Sequence, residues 1–239
     1  MMAFDLLKPA TWFPHPHPLI VRNREAFARF DQSRPLGDYT FVVCDTELTG
    51  FNRKKDEIIS IGAVLIRDLQ IDLGATFHQY IRPANTEHTR ATFIHRITPQ
   101  QLMAARPLEE VLPDFVDFAG NGLMVGHYVA LDMDFLNRAA RKVFGGTLSN
   151  PGIDTMRMAQ GYRRVRLGHF HEQDNASYSY VLEELAREYH LPIFKTHDAL
   201  EDAMQTAYLF LFLLKKFRKG GLVTLKDIYQ AGRVGSLWY

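Results

Sequence analysis

Five residues in three short stretches have types and spacings that suit chemistry. They are Asp45 and Glu47 in FVVCDTELTG, Asp132 in GHYVALDMDFL, and His197 with Asp202 in HDALEDA. Each carboxylate follows or interrupts an apolar run, where an unpaired charge is expensive to bury. A fold that gathers four acids must offset their mutual repulsion, and divalent metal ions are the usual means. The chemistry indicated is metal-assisted reaction at phosphate.

The elements that would position these residues follow from the flanking pattern. Tyr39 to Asp45 is a short apolar run of β-formers and predicts a buried strand. Ile58 to Ile66 and Thr76 to Ile81 predict two more, and their tight connections predict an antiparallel meander. From Thr98 onwards helices and strands alternate. Short helices are expected from Thr98 and from Pro107 to Ala119, and a strand at Leu123 to Val125. Helices are then expected at Ala130 to Phe144, Thr155 to Tyr162 and Ser179 to Tyr189, with a long one from Asp198 to about Lys219. Arg24 to Phe30 and Thr224 to Gln230 predict small helices near the two ends, and Pro14 to Pro18 an extended stretch. The pattern is α/β, a mixed sheet with helices on its faces. Domain boundaries are expected at 1–37 for an N-terminal arm with a short helix, 38–219 for the main domain and 220–239 for a tail.

Periodicity selects among the acids. Asp45 and Glu47 are two apart on a strand and leave the same face, near its C-terminal end. On its helix Asp132 shares a face with Phe135, Leu136 and Ala139, whereas Asp134 shares one with Asn137, Arg138 and Arg141. Asp132 is therefore the candidate ligand and Asp134 a solvated residue. The same test sets Asp202 with Ala199, Ala203, Thr206, Leu209 and Leu213 on the inward side, and Glu201 on the polar side. His197 precedes that helix by one turn or so, where it can overhang the same site.

Bulk composition is that of an ordinary soluble protein of 239 residues with a net charge of +1, which argues neither for nor against nucleic acid. The single Cys, Cys44, excludes an intrachain disulfide and a multi-cysteine zinc site. No apolar run is long enough to span a bilayer, so a cytoplasmic location without membrane contact is the default expectation. The basic clusters Arg163-Arg164-Val165-Arg166 and Lys215 to Lys219 are candidates to track phosphates.

Together the three stretches resemble the DEDDh 3′–5′ exonucleases, above all the proofreading exonuclease subunits of bacterial DNA polymerase III. The D-x-E and T-G of that family match Asp45-Thr46-Glu47 and Thr49-Gly50. Its second motif matches His127, Asp132 and Phe135-Leu136, and its third His197, Asp202 and Ala203. Fainter echoes are Phe93 to Thr98, Ile153 to Thr155 and Ser179 to Leu185. Leu48 replaces a common Thr, Tyr128 stands where Asn often follows the His, and Arg96 stands where Gly is usual. The resemblance implies a ribonuclease H-like five-stranded sheet, a three-strand antiparallel meander plus parallel strands. It also implies two Mg²⁺ or Mn²⁺ ions on Asp45, Glu47, Asp132 and Asp202, with His197 as general base. The expected substrate is the 3′ end of a single or frayed strand, DNA ahead of RNA, releasing nucleoside 5′-monophosphates. Thr46, Leu48, Thr49, Phe51 and His127 are the expected substrate contacts, Leu48 and Phe51 by stacking. The alternatives are an oligoribonuclease-like RNA 3′ exonuclease, a non-catalytic nucleic-acid-binding module, and a hydrolase of small phosphoesters. A homodimer and a polymerase-associated partner both stay open.

Overall fold

The computed structural model describes residues 16–84, 96–167 and 179–233. Its sheet is built from β1 (Phe41–Leu48), β2 (Ile58–Arg67), β3 (Gln70–Arg82), β4 (Arg106–Pro107), β5 (Leu123–Gly126) and β6 (Gly152–Asp154), in the order β4-β3-β2-β1-β5-β6. β1, β2 and β3 form the antiparallel meander, while β5 runs parallel to β1 and β6 parallel to β5. The sheet has one strand more than expected, because Arg106–Pro107 adds a two-residue parallel edge beside Ile81 and Arg82. So short a strand leaves no periodic trace in a sequence.

Eight helices accompany these strands among the described residues: α1 (Pro18–Phe27), α2 (Pro99–Ala104), α3 (Leu108–Ala119), α4 (Val129–Phe144), α5 (Thr155–Leu167), α6 (Leu182–Glu188), α7 (Ala199–Lys219) and α8 (Leu225–Arg233). α1 starts earlier than its weak period suggested. Pro18 takes the first-turn position, where a missing N–H costs nothing, and the His17 ring accepts from Leu19 N at 3.2 Å. α2 opens on a capping box between Thr98 and Gln101.

Alternation along β1 divides the core. Val42, Cys44 and Leu48 face α3 and α4, packing with Phe115, Phe135 and Leu136. Phe41 and Val43 face α7, packing with Phe210, Leu213 and Val64. The central strands β1 and β2 are buried on both faces, because helices cover each side of the sheet there. Residues before 38 and after 219 join this packing. Ile20 and Leu36 are buried, His17 N donates to Phe144 O, and Leu36 N and Lys226 N bond to Val223 O and Gln32 O.

One close approach fixes the layer spacing where it matters. Gly62 on β2 pairs with Asp45 on β1, and a Cβ at Gly62 would lie 2.1 Å from the carbonyl carbon of Ala199. The absent side chain lets the first residue of α7 rest directly on the sheet.

Candidate metal centre and surrounding cleft

Asp45 and Glu47 sit at the C-terminal end of β1 on the face towards α7, and Asp202 projects from the first turn of α7. One carboxylate oxygen from each of these three residues lies within 4.8 Å of the others. The helix start is held by Asp198, whose Oδ1 accepts from Leu200 N and Glu201 N at 3.2 and 3.3 Å. Asp202 is held in turn, because its Oδ2 accepts from His197 N at 2.9 Å. His197 itself adopts φ +63°, a left-handed conformation for a non-glycine residue.

Asp132 arrives from the opposite layer, in the first turn of α4, and is 5% exposed. Its Oδ1 accepts from both Thr46 N at 3.0 Å and Thr46 Oγ1 at 2.6 Å, so it is tied to β1 between the other two acids. Although it stands outside the compact group of three, its charge is the largest felt by Asp45 after burial itself. The rejected neighbour behaves as its helical face predicted. Asp134 is exposed and pairs with Arg53 at 2.7 Å.

The electrostatics show what this gathering costs. Burial first, then the charges of Asp132, Asp202 and Glu47, push the Asp45 carboxyl well above the usual carboxylate range. Burial and the charges of Asp202 and Asp198 push Glu47 up to about 8. Asp132 rises to about 7 through burial, against the pull of the Thr46 hydrogen bonds. Asp202 rises to about 6 through burial, against the His197 N–H. Four acids in this state cannot all be ionised at neutral pH unless positive charge is supplied. The donors are carboxylate oxygens alone, which fits a hard divalent cation. Cys44 lies on the other face, and burial keeps its thiol protonated.

Beside the acids is a small polar pocket of about 100 Å³, walled by Glu47, His197, Tyr80, Arg96, Gln101 and Lys195 among others. Two buried polar atoms of residues lining it, Ser60 Oγ and His78 Nε2, have no hydrogen-bond partner among the described residues. The nearest acid to His78 Nε2 is Asp198 Oδ1 at 3.9 Å, beyond hydrogen-bond reach. Both residues follow from register, since Ser60 pairs with Glu47, and His78 with Gly62, which pairs with Asp45. Sequence reading missed them because cross-strand neighbours are set by pairing, not by local spacing.

The expected substrate contacts divide sharply. Thr46 is 9% exposed and turned to Asp132, and Leu48 is 7% exposed and packed in the core. Thr49 pins the turn after β1, donating to Asp56 Oδ1 and accepting from Glu57 N. The His127 ring is clasped by Thr155 Oγ1 at 2.9 Å and the Tyr180 carbonyl at 2.8 Å, and burial lowers its pKa. Phe51, 74% exposed, is the one of the five whose side chain is open to a ligand.

The two basic runs sit on helices, the first on α5 and the second at the end of α7. Arg163 is buried, donates to Ser179 O and Glu188, and covers the Tyr180 ring. Lys215 to Lys219 lie roughly 20–26 Å along α7 from Asp202 at 1.5 Å per residue. Of the fainter echoes, Phe93 to His95 fall outside the described residues. Asp154, at the end of β6, accepts from Tyr128 N at 3.1 Å and Met156 N at 2.9 Å. No helix among the described residues is long and apolar enough to cross a membrane.

Comparison with known proteins adds to this geometry. The profile of the exonuclease family matches residues 42–210. DNA polymerase III subunit epsilon of Aquifex aeolicus is 32% identical over 197 residues, covering 81% of this chain and 91% of that one. DNA polymerase III PolC-type of Thermotoga petrophila is 34% identical over 87% of this chain, which spans only 14% of that polymerase. Among solved structures, a zinc-bound complex of E. coli exonuclease I with single-stranded DNA superposes with a TM-score of 0.64. It is 19% identical, over 80% of this chain and 42% of that one. Exonuclease X in complex with 5′ overhanging duplex DNA gives 0.58 at 22% identity, over 80% and 99%. At these identities the structural likeness speaks for the fold.

Proposed function

The chain belongs to the exonuclease family, and from its site we propose that it is a metal-dependent 3′–5′ exonuclease acting on a single-stranded or frayed 3′ end. The observation that carries this reading is the meeting of Asp45, Glu47 and Asp202 within 4.8 Å, on two layers held together at Gly62. Relatives named as DNA polymerase III subunits or polymerases support DNA over RNA. They also support a polymerase as the partner class.

Asp45, Glu47 and Asp202, with Asp132, would hold two Mg²⁺ or Mn²⁺ ions. Bound there, the ions would supply the charge that orients an attacking water and offsets the negative charge on the departing 3′ oxygen. The remaining tasks fall to the chain itself. His197 is exposed, stands one turn before Asp202, and takes the proton from the attacking water through its ring. Its backbone N–H meanwhile holds Asp202 towards the other acids. Thr46 holds Asp132, so that the acid from α4 keeps its place beside β1 as the strand end is occupied. The product is a nucleoside 5′-monophosphate.

Incubation of the protein with a 5′-labelled single strand and Mn²⁺ tests the reading. A ladder descending from the 3′ end is expected, lost in Asp45→Asn and Asp202→Asn. His197→Gln should slow the ladder by about 10²-fold while Mn²⁺ binding persists. An unshortened label with the wild-type protein would overturn the proposal, as would a fully active Asp45→Asn.

A further inference from the structure

We propose that Tyr128 forms a nucleobase-stacking subsite for one of the two nucleotides flanking the scissile phosphodiester. This inference rests on the exonuclease reading. The argument begins with position. β1 and β5 are parallel neighbours, with Val43 level with Val125. β5, the strand beside the one that carries Asp45 and Glu47, ends at Gly126, two residues before Tyr128. Tyr128 also stands four residues before Asp132, at the entry to α4.

Its backbone is the second observation. Tyr128 has φ +66° and ψ +41°, the left-handed region that bulky residues rarely adopt. Its surroundings enforce this conformation. Tyr128 N donates to the buried Asp154 carboxylate at 3.1 Å, and its carbonyl accepts from Leu131 N at 3.0 Å. The preceding His127 is fixed through both ring nitrogens. A glycine, asparagine or aspartate would make this turn with less strain, so the turn does not call for an aromatic ring.

Core packing does not call for one either, since Tyr128 is 54% exposed. Two other exposed apolar side chains lie in connections, one after β1 and one before α6. Phe51 is 74% exposed in the turn after β1, and Val181 is 57% exposed next to Tyr180, whose carbonyl binds His127. A strained residue that holds a flat ring in solvent at the entry to the helix carrying Asp132 has the chemistry of a base platform. Base–aromatic stacking is tolerant of sequence, as an exonuclease that meets every base in turn requires.

The test is a cycle between ring and base. Tyr128→Asn suits the left-handed backbone, so the fold is retained. It should raise KM on a labelled single strand by about 5- to 150-fold, the factor equivalent to one stacked base. kcat should change far less, because a stack is equally present in the ground and transition states. Tyr128→Phe should restore the wild-type KM. Placing an abasic nucleotide at one of the last two positions should raise wild-type KM by a similar factor and remove the effect of Tyr128→Asn. An unchanged KM in Tyr128→Asn, or an equal effect on intact and abasic strands, overturns the subsite while the exonuclease stands. A wild-type protein that releases no nucleotide overturns both.

Discussion

Replacing Gly62 with alanine would add one methyl group at the point where the two layers carrying the acids touch. That carbon would meet Ala199 C at 2.1 Å, Leu200 N at 2.2 Å and Ala199 O at 2.3 Å, all backbone atoms. Ordinary carbon–carbon contact begins at about 3.5 Å, so the start of α7 must retreat by roughly 1.4 Å. Asp202 travels with it, since it sits in that first turn and its N–H bonds to Asp198 O at 2.8 Å. Metal sites tolerate about 0.2 Å in ligand distance, and a misplacement of about 1 Å can cost 10²-fold in rate. Gly62→Ala should therefore lower kcat/KM for nucleotide release by about 10²-fold or more and weaken Mn²⁺ binding measured by calorimetry. Overpacking should also cost about 1–3 kcal/mol, seen as a fall of several degrees in Tm. Gly37→Ala is the control, because a Cβ there meets nothing within 4 Å. Wild-type turnover and Mn²⁺ affinity in Gly62→Ala would refute the idea that this contact sets the position of Asp202.

Three further outcomes are expected. The raised pKa values of Glu47 (about 8), Asp132 (about 7) and Asp202 (about 6) mean that the folded chain retains protons the unfolded chain has released. That stability is complete below about pH 4 and is lost as pH rises to 8, so Tm of the metal-free protein in EDTA should fall across this window. Mn²⁺ should oppose the fall, and a Tm that rises with pH in EDTA would contradict the assignment. Thr46→Val removes the hydroxyl donor to Asp132 but keeps the N–H, and the lost charge-assisted bond of about 1.5–3 kcal/mol should reduce kcat by roughly tenfold or more. Arg163→Ala should lower Tm by roughly 4 °C or more, whereas Lys215→Gln with Lys216→Gln should leave KM unchanged at all salt concentrations.

The acids were legible because local periodicity governs them. A period of 3.6 separates Asp132 from Asp134, and the structure pairs the second with Arg53 at the surface. A period of two pairs Asp45 with Glu47, and the same period turns Leu48 to the opposite face, into the core. Contacts set by distant segments were not legible. Ser60 and His78 join the cleft through strand register, and Arg163 is drawn inward by Glu188 and the Ser179 carbonyl. A run of positive charge in a sequence carries no record of the acid that will meet it.

Two helices begin at the carboxylates. α4 presents its first turn beside Asp132 and α7 its first turn beside Asp202. The aligned peptide dipoles of each give its N-terminus roughly half a unit of positive charge, worth about 0.3–1 kcal/mol to a nearby anion. This charge belongs to the backbone and cannot dissociate. It softens the repulsion among the acids at every pH, and would do so with or without a cation between them.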